Sequence, residues 1–237
     1  MTGGSKGETV YHLQREIERL KRQMLALGAV VEENLRLAFQ TIETRDICEA
    51  RRVIETDRVI DEHEVDVEEE CLKILALYQP VAGDLRFLVA VIKINNELER
   101  IGDLAVNIAE RAIALAADQP IPVPPGLAVM ADRTSTITER ALDALVHQDA
   151  VTARWVLLAD DEIDELYADL IEALKQVIRT YPDRLDASVE LFGVARHLER
   201  LADHATNIAE DVLYMVEGQI QRHRTPPAQT DEVCVGE

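Results

Sequence analysis

Two stretches of this chain carry three oxygen-bearing side chains at intervals of four residues. The first, LERIGDLAVNIAE at residues 98–110, contains Glu99, Asp103 and Asn107. The second, LERLADHATNIAE at residues 198–210, contains Glu199, Asp203 and Asn207. On an α-helix such residues lie on one face, each turned about 40° from the last, so their oxygens can reach a common object. The spacing therefore predicts a candidate metal site in each stretch.

The first half of the chain contains a second acidic pair that faces this stretch across a hairpin. Asp57 and Asp61 are again four residues apart, and Pro80 indicates a turn between the two helices. Asp61 and Glu99 are each 19 residues from Pro80, and Asp57 and Asp103 are each 23 residues from it. Equal helical rise on both sides predicts that the four carboxylates meet at one height, about 28 Å from the turn.

The second half repeats this arrangement about Pro182. Asp164 and Glu199 are 18 and 17 residues from that proline, and Asp160 and Asp203 are 22 and 21 residues from it. We define the first patch as Asp57, Asp61, Glu99 and Asp103. The second patch is Asp160, Asp164, Glu199 and Asp203. Both patches should lie on the outside of their helices, because the apolar residues Ile101, Leu104 and Ile108 occupy the opposite face.

The ligand types in both patches indicate a hard cation. Mg²⁺, Mn²⁺, Ca²⁺ and ferric iron prefer carboxylate and amide oxygens as ligands, whereas a typical zinc site is built from His and Cys. His63 and His204 adjoin these acids but lie at a different helical angle, which disfavours them as ligands. A di-iron oxidase is disfavoured as well, because the chain has no Glu-x-x-His motif.

The alternative interpretation of these acids is a solvated, salt-bridged helix surface. Like charges at i, i+4 cost only ~0.2–0.5 kcal/mol when exposed, so one pair needs no metal. Four carboxylates at one height, present twice, favour metal binding. Asn107 and Asn207 fit both interpretations, since an amide is equally common on a solvated helix surface.

The positions of these acids depend on long helices. Apolar residues recur with helical spacing, and the alternation typical of β-strands is absent, which predicts an all-α fold. The first helix should run from Tyr11 to about Thr44, and the second from an N-cap at Asp46 to Tyr78. The remaining helices should span about 84–117, 127–146, 149–180 and 185–221, with Asp149 as the N-cap of the helix over 149–180.

An internal repeat and a proline-rich segment indicate how these helices are grouped. The second helices match at an interval of 103 residues and the third helices at an interval of 100 residues. Four prolines in 119–126 cannot continue a helix, so this segment is the predicted linker. We expect two tandem three-helix bundles, residues 1–118 (with a tail to about residue 8) and 127–224. Residues 225–237 should be disordered.

Composition argues against several classes of protein. With 45 acidic and 25 basic residues the formal charge is −20, which repels phosphate backbones and disfavours nucleic acid as a partner. The longest apolar run, Phe87–Ile92, is far shorter than the ~20 residues of a membrane span. We expect a cytoplasmic protein without a disulfide framework, since its three cysteines form no CxxC pair. No catalytic nucleophile motif is present.

The duplicated stretches resemble the PhoU family of phosphate-signalling accessory proteins. The family motif reads approximately L-E-R-[IL]-[GA]-D-x-x-x-N-I-A-E, and residues 98–110 and 198–210 both match it. The segment QPVAGDLR at 79–86 is similar to the family's Q-P-x-A-x-D-L-R turn. The second half departs from that turn, because it has Asp186-Ala187-Ser188 in place of Asp84-Leu85-Arg86.

The resemblance implies a non-enzymatic negative regulator of the phosphate-starvation response. Such a protein would couple a phosphate ABC transporter to a sensor histidine kinase, at the inner face of the membrane through these partners. The resemblance also implies a homodimer, and clusters of iron or zinc on the E(D)xxxD pairs that form the two patches. Together with the cations that suit oxygen ligands, the candidate metals are iron, manganese, magnesium and zinc. The alternatives are a metal-dependent phosphoester hydrolase or a metal-storage protein that uses the same carboxylates, and a purely structural scaffold.

Overall fold

A computed structural model describes residues 4–118 and 120–218, with side chains from Tyr11 onward. The described residues form six α-helices and no strands: α1 (Gly4–Thr44), α2 (Ile47–Tyr78), α3 (Ala82–Ala117), α4 (Pro125–His147), α5 (Ala150–Thr180) and α6 (Leu185–Glu217). One turn of 3-10 helix, Pro182–Arg184, precedes α6. The all-α fold predicted from the sequence is confirmed. None of these helices is both long and apolar enough to cross a membrane.

The α1 helix shows why the apolar spacing predicts the fold. Every residue of its predicted apolar stripe is buried: Leu13, Ile17, Leu20, Met24, Leu27, Val31, Leu35, Ala38 and Ile42. Residues three and four apart share one face of a helix, so the stripe packs as a unit against the helices beside it. The α1 helix contacts both α2 and α3 in this way.

Helix ends follow local capping chemistry. The Asp46 carboxylate accepts hydrogen bonds from the backbone N–H groups of Cys48 and Glu49, at 2.8 and 3.1 Å. Asp149 caps α5 in the same way through Val151 N–H, at 2.8 Å. Both predicted N-caps are therefore confirmed. The α2 helix ends where Gln79 adopts a left-handed conformation ahead of Pro80, which cannot continue a helix.

The observed helix bounds differ from the predicted ones at several ends. The α1 helix already begins at Gly4, and α3 begins at Ala82. The α4 helix begins at Pro125, inside the predicted linker, because proline is favoured in the first turn of a helix, where its missing N–H is not needed. The α6 helix ends at Glu217, because Gly218 adopts a left-handed conformation there, so the predicted end at residue 221 is wrong. The predicted disordered tail lies outside the described residues.

The two halves, α1–α3 and α4–α6, pack against each other mainly through α3 and α6. These helices run antiparallel, since Lys93 of α3 contacts Asp211 near the end of α6, whereas Arg111 contacts Glu190 near its start. In the internal repeat, positions 93 and 111 of α3 correspond to positions 193 and 211 of α6. Position 93 contacts position 211, and position 111 lies against position 193. Such reciprocal contacts mean that a pseudo-two-fold axis relates the two halves. The α1 and α4 helices also meet, at Gly28 and Leu142.

Candidate metal centres

The α2–α3 hairpin brings the four carboxylates of the first patch together along its outer edge. Asp57 and Glu99 are half-buried, while Asp61 and Asp103 are exposed. The α5–α6 hairpin repeats this pattern, with Asp160 and Glu199 half-buried and Asp164 and Asp203 exposed. Each patch therefore has two half-buried carboxylates and two more exposed ones, on the outside of its half.

The carboxylates of the first patch lie close enough to shift one another's pKa values. Burial, together with the charges of Asp61 and Asp103, raises the pKa of Asp57 to about 6. Burial, followed by the charges of Asp103 and Asp61, also raises the pKa of Glu99. Asp103 of α3 thus acts on Asp57 of α2, and Asp61 of α2 acts on Glu99 of α3, so acids of the two helices lie near one another across the hairpin. Their exact register stays a prediction.

The second patch has the same electrostatic character. Burial and the charges of Asp203 and Asp164 raise the pKa of Asp160 to about 6. Burial also raises the pKa of Glu199, with Asp203 and Asp164 adding to the effect. The pKa of Asp203 is raised by burial, even though His204 acts in the opposite direction. Like-charge crowding of half-buried carboxylates therefore occurs in both halves.

Gly102 of α3 lies where side chains of α2 pack at the first patch. A Cβ at this position would lie 3.1 Å from Asp57 Oδ1 and 3.1 Å from the Ile60 side chain. The repeated position in the second half is Ala202, which is buried. The two hairpins thus carry the same acids but differ in the side chain at this packed position.

Carboxylates that crowd in this way suit a cation in charge and in donor type. No group of three or more His, Cys, Asp or Glu side chains in the described part of the chain converges closely enough to hold a metal ion. Side-chain rotations would have to bring the carboxylate oxygens of a patch together around the ion. The metal-ligand role of the patches therefore stays a prediction.

The two asparagines of the repeated motif differ in their contacts. Asn107 Nδ2 donates a hydrogen bond to the Asp103 carbonyl of its own helix, at 2.7 Å. Asn207 Nδ2 donates to Glu97 Oε2 of the other half, at 3.1 Å. Asn207 therefore belongs to the contact between the halves as well as to the edge of the second patch, and its ligand role stays a prediction.

A polar network between α3 and α6 was not predicted from the sequence. Buried His204 Nδ1 lies 2.7 Å from Glu97 Oε2, the same oxygen that accepts from Asn207. Burial raises the pKa of Glu97, but the hydrogen bonds of His204 and Asn207 outweigh that effect and lower the pKa overall. His204 faces the other half, which agrees with its predicted angle away from the second patch. His63 is half-buried on α2.

Two further ionic contacts extend this network along the interface. Lys93 Nζ donates to Asp211 Oδ1 at 2.8 Å, and Arg111 donates to Glu190 Oε2 at 2.8 Å. Arg111 Nε also donates to His197 Nε2 at 3.0 Å. Burial and the charge of Arg111 lower the pKa of His197 to about 4, so His197 is neutral at physiological pH. The sequence signal for this network is that Lys93, Glu97 and Arg111 share one helical face of α3.

The fold and the repeated hairpins can now be compared with known proteins. The family model described as the PhoU domain matches residues 24–112 and again 127–212. The chain belongs to the PhoU family. The two PhoU matches fall in the two halves of the structure, and each contains one complete patch. The resemblance recognised in the sequence is thereby confirmed.

Individual PhoU proteins are similar to this chain over nearly their whole length. A phosphate-specific transport system accessory protein PhoU homolog from Aquifex aeolicus is 38% identical over 212 residues, which cover 90% of this chain and 96% of that protein. A phosphate-specific transport system accessory protein PhoU from Edwardsiella tarda is 35% identical, covering 88% and 86%.

Solved PhoU structures have the same architecture. The crystal structure of PhoU from Pseudomonas aeruginosa matches with a TM-score of 0.83 and 33% identity, covering 87% of this chain and 99% of that one. The phosphate transport system regulatory protein PhoU from Streptococcus pneumoniae matches with a TM-score of 0.81 and 26% identity, covering 88% and 98%. Two tandem three-helix bundles of the PhoU type are therefore the fold of this chain.

Proposed function

We propose that this protein is a non-enzymatic regulatory adaptor of phosphate uptake. The observation that supports this function is the PhoU match in both halves, because relatives that match along the whole chain are named accessory proteins of the phosphate-specific transport system. The adaptor binds a phosphate ABC transporter and a sensor histidine kinase from the cytoplasm, and it represses the phosphate-starvation response while phosphate is plentiful.

Metal binding by the two patches is part of this proposal. Each patch offers four carboxylates, and crowding raises the pKa of Asp57 and of Asp160 to about 6. A hard cation would relieve the repulsion between these carboxylates, whose oxygens suit such ions. Iron, manganese, magnesium and zinc are the candidate metals.

A homodimer is the proposed assembly, and the molar mass in solution tests it.

Deletion of the gene tests the regulatory function. In cells grown with abundant phosphate, deletion should switch on phosphate-starvation genes, because the kinase would no longer be restrained. Expression of the intact protein should restore repression. Unchanged expression of those genes in the deletion strain would contradict the proposed function, provided that the same genes still respond to phosphate limitation in that strain.

A further inference from the structure

The first two turns of α5 present an apolar row to solvent. Val151, Trp155 and Leu158 are 74%, 45% and 75% exposed. They follow one another at i, i+4 and i+7, so they form one stripe about 10 Å long on the face opposite the buried residues Ala153 and Val156. Three large apolar side chains exposed together on one stripe are typical of an interaction surface.

The internal repeat shows that the fold does not require this row. At the interval of 103 residues, the equivalent positions on α2 hold Cys48, Arg52 and Glu55, and all three are exposed. The same hairpin therefore forms with polar residues at two of these positions. Trp155 is also the single tryptophan of the chain, and tryptophan is among the residues most enriched at binding hot spots.

Charge along the same stripe indicates which kind of partner it fits. The stripe continues from Leu158 to Glu162 and Glu165, which are exposed. Glu162 also pairs with Arg133 of α4 at 3.1 Å, so Glu165 is the acid of this stripe that the partner's basic side chains meet first. One binding surface thus changes from apolar to acidic within four turns of α5. A second copy would bring the same acidic turns to this stripe, which disfavours the stripe as the contact between two copies. A segment with an apolar face and basic side chains is complementary in both respects.

We propose that the row Val151, Trp155 and Leu158, with the acidic turn after it, is a docking surface for a basic amphipathic helix of a partner protein. Such a helix lays its apolar residues along the row while its Lys or Arg side chains reach Glu162 and Glu165. Because the proposed function is that of an adaptor, this surface is its contact with a protein partner, and the inference rests on that function for the partner's identity.

A peptide titration tests the chemistry of the surface. The probe is a tryptophan-free helical peptide with leucine on one face and lysine elsewhere, and its control is a scrambled peptide of the same composition without an apolar face. The full-length protein should show a saturable blue shift of Trp155 emission with the probe alone. The double variant Val151→Ser with Leu158→Glu, which keeps Trp155, should bind at least tenfold more weakly.

The matched control variant is Leu77→Glu, which places the same charge at an exposed apolar position on another helix. It should bind like the unmodified protein, and circular dichroism should show that all variants are folded. The proposal is overturned if the probe causes no shift, if the scrambled peptide causes an equal one, or if the double variant binds as the unmodified protein does.

A second arm separates this inference from the proposed function. The probe is the purified ATPase subunit of the phosphate-specific transporter from the same organism. If the subunit binds the unmodified protein and the double variant equally, the docking surface is wrong and the adaptor function stands. If the subunit does not bind but the helical peptide does, the adaptor function loses support and the surface stands. If the subunit binds the unmodified protein but not the double variant, both the docking surface and the adaptor function are supported.

Two further measurements test whether something other than a partner helix covers the row. A molar mass that falls when the double variant is introduced would show that a second copy covers the row. A red shift of Trp155 emission in the full-length Arg222→Glu, Arg224→Glu variant, without any partner, would show that the chain's own C-terminal segment covers it. Either result overturns the proposal of a partner helix.

Discussion

At the residue scale, the central feature is the unequal environment of the carboxylates within each patch. Asp57 and Asp160 are half-buried and face other acids, which raises the pKa of each to about 6. Asp61 and Asp164, four residues later, are exposed. Asp57 and Asp160 therefore hold a proton more tightly than a free aspartic acid does, because their place in the hairpin desolvates them and other acids lie nearby.

The raised pKa values predict how the metal-free protein responds to pH. A carboxyl whose pKa is raised on folding destabilises the folded state above that pKa, and this penalty disappears as the pH falls toward the unfolded value. We expect Asp160→Asn to raise stability at pH 7.5 by about 1 kcal/mol after allowance for solvent screening. The gain should shrink between pH 6 and pH 4. Thermal melts in the presence of chelator measure it.

The control for this experiment is Asp66→Asn, which neutralises an exposed acid outside both patches. The difference between that variant and the unmodified protein should be small at every pH. A stability gain for Asp160→Asn that does not depend on pH would contradict a raised pKa at Asp160. The free-energy cost of burying an ionised carboxyl disappears once the group is protonated.

A second prediction at this scale concerns the buried contact between Glu97 and His204. Replacing Glu97 by Ala leaves the polar groups of His204 and Asn207 without their partner inside the interface. We expect a loss of about 1–3 kcal/mol, the usual cost of an unsatisfied buried polar group. Glu97→Gln, which retains an acceptor oxygen, should lose less. Denaturant unfolding measures both, and an Ala variant as stable as the Gln variant would argue against the network.

At the scale of elements, the structure is a set of hairpins whose register follows from helix length and turn position. The α2–α3 hairpin turns at Pro80, and the α5–α6 hairpin turns at Pro182. Both place a DxxxD pair beside an ExxxD pair, because equal helical rise carries equal numbers of residues back to the same height. Between the hairpins, α3 and α6 cross antiparallel and exchange charged side chains.

The crossing yields a prediction about Gly193. A Cβ at this position would overlap the Arg111 guanidinium, which donates to Glu190 and His197. Gly193→Ala should therefore displace the Arg111 side chain and move its charge away from His197. We expect the pKa of His197, which is about 4, to rise toward its usual range. An NMR titration of the histidine ring protons measures this change.

Gly83→Ala is the matched control, because a Cβ there would meet no atom within 4 Å. It should leave the titration of His197 unchanged. A His197 titration that is the same in Gly193→Ala and in the unmodified protein would show that the charge of Arg111 does not lower the pKa.

At the scale of the whole molecule, two similar halves carry two similar patches on a strongly acidic protein. The pseudo-two-fold relation makes each half a control for the other. Features that the hairpin requires are present in both halves. Other features, such as Gly102 at the first patch and the apolar row on α5, are present in one half. Substitutions at positions that differ between the halves therefore test specific function most directly.

The duplicated patches predict how metal content should divide between the halves. In protein purified without chelator or affinity metal, elemental analysis should find bound metal. Asp57→Ala with Asp103→Ala should remove about half of it, and Asp160→Ala with Asp203→Ala the other half, if the patches bind equal amounts. Asn107→Ala should retain most of it, because the Asn107 amide bonds its own helix. Unchanged metal content in both double variants would contradict the assignment.

Several features of this protein follow from the sequence by itself. The helical spacing of apolar residues identifies the buried stripe of α1, and Asp46 and Asp149 are recognisable as caps from their residue type and position. Counting from the two prolines identifies the carboxylates that face each other across each hairpin. These are local or linear properties, because helical rise and turn position are set by residues close together in the chain.

The tertiary structure decided the features that depend on how the two halves meet. Glu97 and His204 are 107 residues apart, and only the antiparallel crossing of α3 and α6 brings them to 2.7 Å. The same crossing places Asn207 within hydrogen-bond distance of Glu97, whereas Asn107, in the same sequence context, bonds its own helix. The exposure of Trp155 is also a tertiary result, because helical spacing defines the faces of α5 but not which of them is covered. Desolvation and contact depend on that packing, which no residue specifies alone.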